Sequence, residues 1–261
     1  METKKPLFIA FTTQKGGVGK SVFTTLAASH LHYMCGLNIV VVDCDKGQYS
    51  LYRMRERDLK VIDSDPMHKE KFHLQYERIA KSAYPILCSP AISAIELAEN
   101  YIANCEENID LVLFDLPGTV NSEGVMECVA GLDHIFTPIT ADPLTLESSL
   151  AFALAVKEHL LQNTNIRLKS LHLFWNMVVA TERTTLYEDY TEIVKELELP
   201  ILNTYIPETV RYKKELRKGY KDVFRSTLFP ISPRLLKGSR FDELMIEITK
   251  LIKIQYKYGK E

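Results

Sequence analysis

The chain has 261 residues, 46% of them apolar and 25% charged, with a net charge of -2. That length and balance suit a single α/β domain, residues 1–261, with a substantial core. No apolar run approaches the ~18 residues of a membrane span, and the N-terminus leads straight into a strand instead of a leader's apolar stretch, so the expected location is cytoplasmic. Five cysteines without a C-x-x-C pair, mostly in or beside apolar segments, read as buried thiols.

Short β-like runs at 7–13, 38–43, 86–88, 111–115, 134–138, 170–176 and 201–204 alternate with helical patterns. The alternation predicts an α/β fold with a mostly parallel central sheet and helices on both faces. Ile39-Val40-Val41-Val42 and Leu111-Val112-Leu113-Phe114 are apolar throughout, as strands covered on both faces are.

The first strand runs into Lys15-Gly16-Gly17-Val18-Gly19-Lys20-Ser21, which opens a helical stretch over 21–35. This is a phosphate-binding loop in a variant form, since no glycine holds the usual first position of G-x-x-x-x-G-K-[ST]. Gly16, Gly17 and Gly19 let backbone N–H groups, that of Val18 included, turn inward around an anion. The helix adds its positive dipole end. Lys20 would place an ammonium on the β- and γ-phosphates and Ser21 a hydroxyl on Mg²⁺, so the expected ligand is a nucleoside triphosphate.

The second strand closes on Asp43-Cys44-Asp45, at the carboxyl edge where open α/β sheets place ligands. Beyond it, 67–82 reads as a polar helix with Asp65-Pro66 as its start signal. Asp115-Leu116-Pro117-Gly118 follows an apolar strand and fits the D-x-x-G form. Asp115 would hold Mg²⁺ through water, and Gly118 would bring a backbone N–H to the γ-phosphate, so that hydrolysis releases the residues after it.

Later in the chain Asn176 ends a strand, and Ile206-Pro207-Glu208-Thr209-Val210-Arg211 leads into a basic stretch containing Arg211, Lys213, Lys214, Arg217, Lys218 and Lys221. A polyanion is a candidate partner for it. Over 241–256 the residues Phe241, Leu244, Met245, Ile248, Leu251 and Ile252 share one helical face, while acids and lysines mix on the other, a pattern of core packing rather than of a basic membrane-surface helix.

The loop's second lysine, Lys15, makes it similar to the K-G-G-x-G-K-[ST] loop of the ParA/MinD-type deviant Walker A P-loop ATPases, a family that also includes the nitrogenase iron protein. The resemblance covers most of the chain, since the D-x-D strand end, the D-x-x-G turn and the late I-P-x-x-V-R segment follow in the family order. It implies ATP as ligand with Mg²⁺, and a homodimer closed by ATP in which Lys15 reaches the phosphates of the other subunit. It further implies that Asp45 orients the attacking water, that Asp43 supports the Mg²⁺ shell or Lys15, and that Asn176 and Pro207 flank the adenine.

The ParA relatives imply binding of nonspecific double-stranded DNA through the late basic residues, a ParB-like partner protein that stimulates slow hydrolysis, nucleoid association, and a role in DNA partition or in the upkeep of plasmids and conjugative elements. Lys46-Gly47-Gln48 departs from the Pro-Gln continuation of the partition branch and is closer to MinD. A positioning or scaffold ATPase that recruits a membrane or protein cargo without DNA is therefore the alternative. A metabolic ligase is a third possibility, but no substrate-binding insertion is recognisable. An iron–sulfur carrier lacks a cysteine between Asp115 and Cys128 to serve it.

Overall fold

The computed structural model describes residues 5–118, 122–179, 185–209 and 225–256. Six parallel strands form one sheet: β1 (Leu7–Phe11), β2 (Ile39–Asp43), β3 (Ile86–Cys88), β4 (Leu111–Asp115), β5 (His134–Ile139) and β6 (Ser170–Trp175), in the order β3-β2-β4-β1-β5-β6. The expected α/β fold with a parallel sheet is what the structure shows.

Alternation along each strand sends the two faces to two cores. Phe8, Ala10, Val40, Val42, Val112 and Phe114 meet α4 (Ala91–Asn104), α5 (Val125–Ala130) and α6 (Pro143–His159) on one side. On the other, Ile9, Phe11, Val41, Leu111 and Leu113 meet α1 (Lys20–Tyr33) and α9 (Phe241–Leu251). Helix α1 is buried on nearly its whole circumference. Phe23 locks it to the sheet between Phe11, 5.6 Å between ring centres, and Phe174, edge-on at 5.0 Å.

Helices α2 (Ser50–Ser64) and α3 (Pro66–Ile79) follow β2, α7 (Thr185–Glu196) follows β6, and α8 (Pro233–Leu236) is a single turn. Asp65 caps α3 by accepting from the Met67 amide at 3.0 Å, with Pro66 at the first helical position, so the start signal read from the sequence is real and the helix stops at Ile79 instead of 82. The apolar face of α9 is buried in the core, as its pattern predicts.

One element differs. The expected strand at 201–204 is not a strand but an extended run joined to β6 by a single bridge, Leu173 to Ile201, with a second bridge from Val178 to Pro207. The Thr204 amide, next in register after that of Leu202, donates to Glu247 Oε2 at 2.8 Å, and the Trp175 carbonyl takes the Ile206 amide instead at 2.8 Å, so the pairing is interrupted between the two bridges.

Strand order also fixes where a ligand sits. Neighbouring strands β1 and β4 send the chain in opposite directions, β1 towards β2 and β4 towards β5, and the crevice at their carboxyl ends is the switch point of the sheet. The loop at 15–21 and Asp115 both lie there.

Candidate functional site

At the mouth of β1 the chain turns through Gly17 and Gly19, at φ of +84° and +91°, a region that costs any residue with a Cβ about 1–2 kcal/mol. Gly19 caps α1 without a side chain, so the first amides of the helix meet no side-chain acceptor. An anion is what such a cradle binds.

Charged side chains converge beneath it. Lys20 is 7% exposed and donates to the Lys15 carbonyl at 2.7 Å. Burial lowers the pKa of its ammonium, and the carboxylates of Asp115 and Asp45 work against that shift. Asp115 is buried, and desolvation pushes its carboxyl up to about 7, with Asp43 and Asp45 adding repulsion while a hydrogen bond from Ser21 and the charge of Lys20 oppose it. Its Oδ1 has no hydrogen-bond partner.

These residues fit Mg²⁺. An orphaned, buried carboxylate oxygen beside a serine hydroxyl at a phosphate cradle is a donor set for a cation whose remaining ligands are water and phosphate. No group of three or more His, Cys, Asp or Glu able to hold a metal occurs among the described residues. Ser21 and Asp115 would hold the ion, which would supply positive charge to the phosphates.

A Cβ on Gly118 would lie 3.7 Å from the Gly16 Cα and 3.9 Å from Lys20 Nζ, so its backbone abuts the loop. Asp45 stands half-buried just past β2, its carbonyl accepting from the Gln48 and Tyr49 amides at 3.0 and 2.9 Å. Lys15 is half-buried at the outer rim, where its charge acts on Asp142.

The hydrogen bonds give two of the expected site residues partners within the chain. Asp43, expected in the Mg²⁺ shell or against Lys15, has its Oδ2 on the amides of Leu51 and Tyr52 at 2.9 and 3.2 Å, and its Oδ1 takes the Asp45 amide at 3.4 Å. It anchors the first turn of α2, a role open to any strand-end aspartate that faces a helix N-terminus. Asn176, expected on the adenine edge, directs its amide Nδ2 to the Val18 carbonyl at 3.0 Å and so ties β6 to the phosphate loop.

The model of the CobQ/CobB/MinD/ParA nucleotide binding domain matches residues 9–221. The chain belongs to this family. Among solved structures it resembles the cell division ATPase MinD of Pyrococcus furiosus, at 17% identity and a TM-score of 0.60 over 95% of this chain and all of that one. A second is the pNOB8 ParA bound to nonspecific DNA, at 15% identity and a TM-score of 0.59 over 95% and 99% of the two chains. A third is a putative plasmid partition protein from Borrelia burgdorferi bound to AMPPNP, at 15% identity and a TM-score of 0.58 over 96% and 100%. At those identities the likeness is one of fold. No curated protein sequence matches the chain.

Beside the loop of this ParA/MinD-family chain opens a cleft of about 500 Å³, lined by Gly16, Gly17, Asp142, Met177, Tyr187 and Glu208 among others. Pro207 lies at its edge through the bridge to Val178. Sequence reading missed Asp142, which caps α6 with a 2.8 Å bond from the Thr145 amide; Asp142-Pro143, a helix start signal, marks it. A larger cleft, about 1120 Å³, opens at the opposite edge of the sheet beside Asn38, Lys81 and Asn104 and has no part in the phosphate site. The expected DNA-contacting residues Arg211, Lys213, Lys214, Arg217, Lys218 and Lys221 lie outside the described residues. No helix among the described residues is long and apolar enough to cross a membrane.

Proposed function

We propose that this chain is one ATPase unit that dimerises on binding ATP with Mg²⁺, hydrolyses it slowly, and serves DNA partition or the upkeep of a mobile element. In this reading the ATP-bound dimer holds nonspecific double-stranded DNA in the cytoplasm, at the nucleoid, and a ParB-like partner stimulates hydrolysis and release. The observation that carries it is the divergence of the two loop lysines. Lys20 is buried against Asp115 and Asp45, whereas Lys15 is half-buried with its charge reaching Asp142, apart from that cluster, and in this reading it serves a nucleotide held by a second copy.

Catalysis in this scheme is positioning and charge. Lys20 neutralises the phosphates, Asp45 orients water from beyond β2, and Lys15 completes the partner's site. Gly118, against the loop, ties the following residues to the presence of the terminal phosphate.

Lys15→Ala is expected to abolish ATP-dependent dimerisation while nucleotide binding survives; loss of binding alone makes Lys15 an ordinary loop residue. For the DNA role, duplex binding is titrated against salt in each nucleotide state, with Arg211→Ala/Arg217→Ala as control. Affinity should fall steeply with salt, log K dropping about 0.9 per phosphate neutralised for each decade of salt. Absence of binding in every nucleotide state at low salt removes the partition reading and favours a positioning ATPase. Cosedimentation with liposomes tests the membrane form of that alternative, against which the buried apolar face of α9 already speaks.

A further inference from the structure

Helix α3 and the chain at 230–233 form the walls of a groove of about 650 Å³, with Met34 from the end of α1 also lining it. Met67, Leu74, Pro230, Ile231 and Pro233 make most of the surface apolar. On the helix side Met67, Lys71, Leu74 and Arg78 follow at spacings of four, three and four, which places them in one stripe. The stripe runs about 16 Å, three helical turns. Leu74 at its centre is 59% exposed, so the middle of the groove is apolar surface left in water.

Both walls are held by contacts of their own. The chain leading to the far wall lies in a polar seat at 226–229, where Asp58 of α2 accepts from the Ser226 hydroxyl and the Thr227 amide, both at 2.8 Å. Arg55 donates to the Thr227 hydroxyl at 2.9 Å. Gln75 of α3 donates to the Leu228 carbonyl at 2.9 Å, and Phe72 meets Phe229 edge-on with 6.1 Å between ring centres. Ile231 is anchored in the core that α1 and α9 share. Walls already ordered in this way leave a ligand little reorganisation to offset.

Backbone and charge select the occupant. An added strand finds little to pair with, since Pro230 and Pro233 have no N–H and the Ser232 carbonyl is taken by the Leu235 and Leu236 amides at 2.9 Å. A helix that inserts side chains needs no such partners. At the rim Lys71, Arg78 and Arg234, the residue after Pro233, outnumber Glu70. A second copy docked through the same patch would set one cationic rim against another. We propose that the groove takes an acidic amphipathic helix of about three turns from a second protein. Its apolar residues at i, i+3 or i+4 and i+7 lie over Met67, Leu74 and Met34, whose thioethers adapt to the incoming shape, and its carboxylates meet Lys71, Arg78 and Arg234. No residue of the phosphate site lines the groove, so the assignment stands apart from the function proposed above.

The test selects displayed helical peptides of unbiased charge on the full chain, with counter-selection on Leu74→Asp, and titrates the recovered peptides by fluorescence anisotropy. Leu74 is exposed, so its replacement leaves the fold in place, and an unchanged thermal midpoint checks this. The expected binders are amphipathic with net negative charge. Leu74→Asp weakens them by about thirtyfold or more, as loss of a central anchor does. Arg78→Glu weakens them about fivefold, with the effect fading in high salt, and peptides with lysine in place of the flanking acids regain affinity for that variant.

Failure to recover any peptide that depends on Leu74 overturns the proposal, and so do recovered peptides whose flanks are basic or uncharged. Equal binding to the unmodified chain and to Arg78→Glu, with no gain for the lysine peptides, removes the acidic partner. Sedimentation of the nucleotide-free chain closes the remaining alternative. Self-association that Leu74→Asp abolishes assigns the groove to a second copy and overturns the proposal as well, whereas a monomer in both forms agrees with it.

Discussion

Asp115 and Asp58 are both buried aspartates, at 1% and 0% exposure, and they differ in how their charge is met. Asp58 has serine, threonine, arginine and a backbone amide on its two oxygens. Asp115 has an oxygen with no partner, two other carboxylates pushing on it, and a carboxyl that burial raises to about 7. A carboxylate satisfied by its own chain is a structural joint, and one left short of partners is prepared for something that arrives later. The contrast divides the molecule into a buried joint whose charge is fully met and a cluster beneath the loop whose charge is not.

Truncating the satisfied joint should have the largest effect on stability. Asp58→Ala leaves Arg57, Ser226 and Thr227 without their acceptor and is expected to cost about 3–5 kcal/mol in urea unfolding, as the loss of one member of a buried charged network does. A cost below about 1 kcal/mol, the range of an exposed pair, would place Asp58 outside the load of the fold and dissolve the comparison.

Asp115→Asn should behave in the opposite sense. Hydrolysis is expected to fall about a hundredfold or more, with the unfolding midpoint at pH 8 unchanged or higher. The sign follows from linkage: a carboxyl held at about 7 in the folded chain, against 3.8 ordinarily, favours the folded state at low pH and loses that contribution as pH rises to 7. At pH 8 the buried charge is a net penalty, so removing it does not destabilise. A lowered midpoint at that pH shows instead that Asp115 is satisfied by its surroundings.

His30 meets burial in a third way, by giving up its charge. It lies in α1, edge-on to Phe241 with ring centres 5.9 Å apart, and desolvation lowers its pKa to about 4 despite the opposing charge of Asp242. A lowered folded pKa contributes stability that is present above 6.5 and lost as pH falls towards 4. His30→Gln is expected to flatten the stability profile between pH 6 and 5 by about 1.4 kcal/mol per pH unit. An unchanged slope means that His30 takes up its proton in the folded chain as readily as in the unfolded one.

What was readable in advance follows the same division. The loop at 15–21, Asp115 and Gly118 lie in short contiguous patterns whose chemistry is set by backbone and spacing, and apolar runs such as 39–42 announce covered strands. Asp43 is where the strand end was expected, but its bonds to the first turn of α2 were not legible, because they depend on backbone geometry eight and nine residues away. The seat at 226–229 had no local signature at all. Its bonds to Asp58 span 168 and 169 positions in the chain, and nothing in the segment around Arg55 and Arg57 points to so distant a partner. The bridges at Ile201 and Pro207 stand between these cases, since the apolar run is visible in the sequence while the diversion of the Thr204 amide to Glu247, 43 positions further on, is not.

Asn176→Ala gives the smallest effect and separates two roles that the residue's position allows. The amide bond to the Val18 carbonyl holds the phosphate loop against the end of β6, and a neutral hydrogen bond of this kind contributes about 1 kcal/mol, or roughly fivefold in affinity. If holding the loop is its work, ATP and GTP should weaken by the same factor, because both present the same phosphates to the cradle. If the side chain instead reads the adenine edge, ATP should weaken and GTP should not, and the ratio of the two affinities moves. Fluorescent analogues of both nucleotides titrated into the same variant decide it, since a change in the ratio requires contact with the base while a shared loss requires only a looser loop.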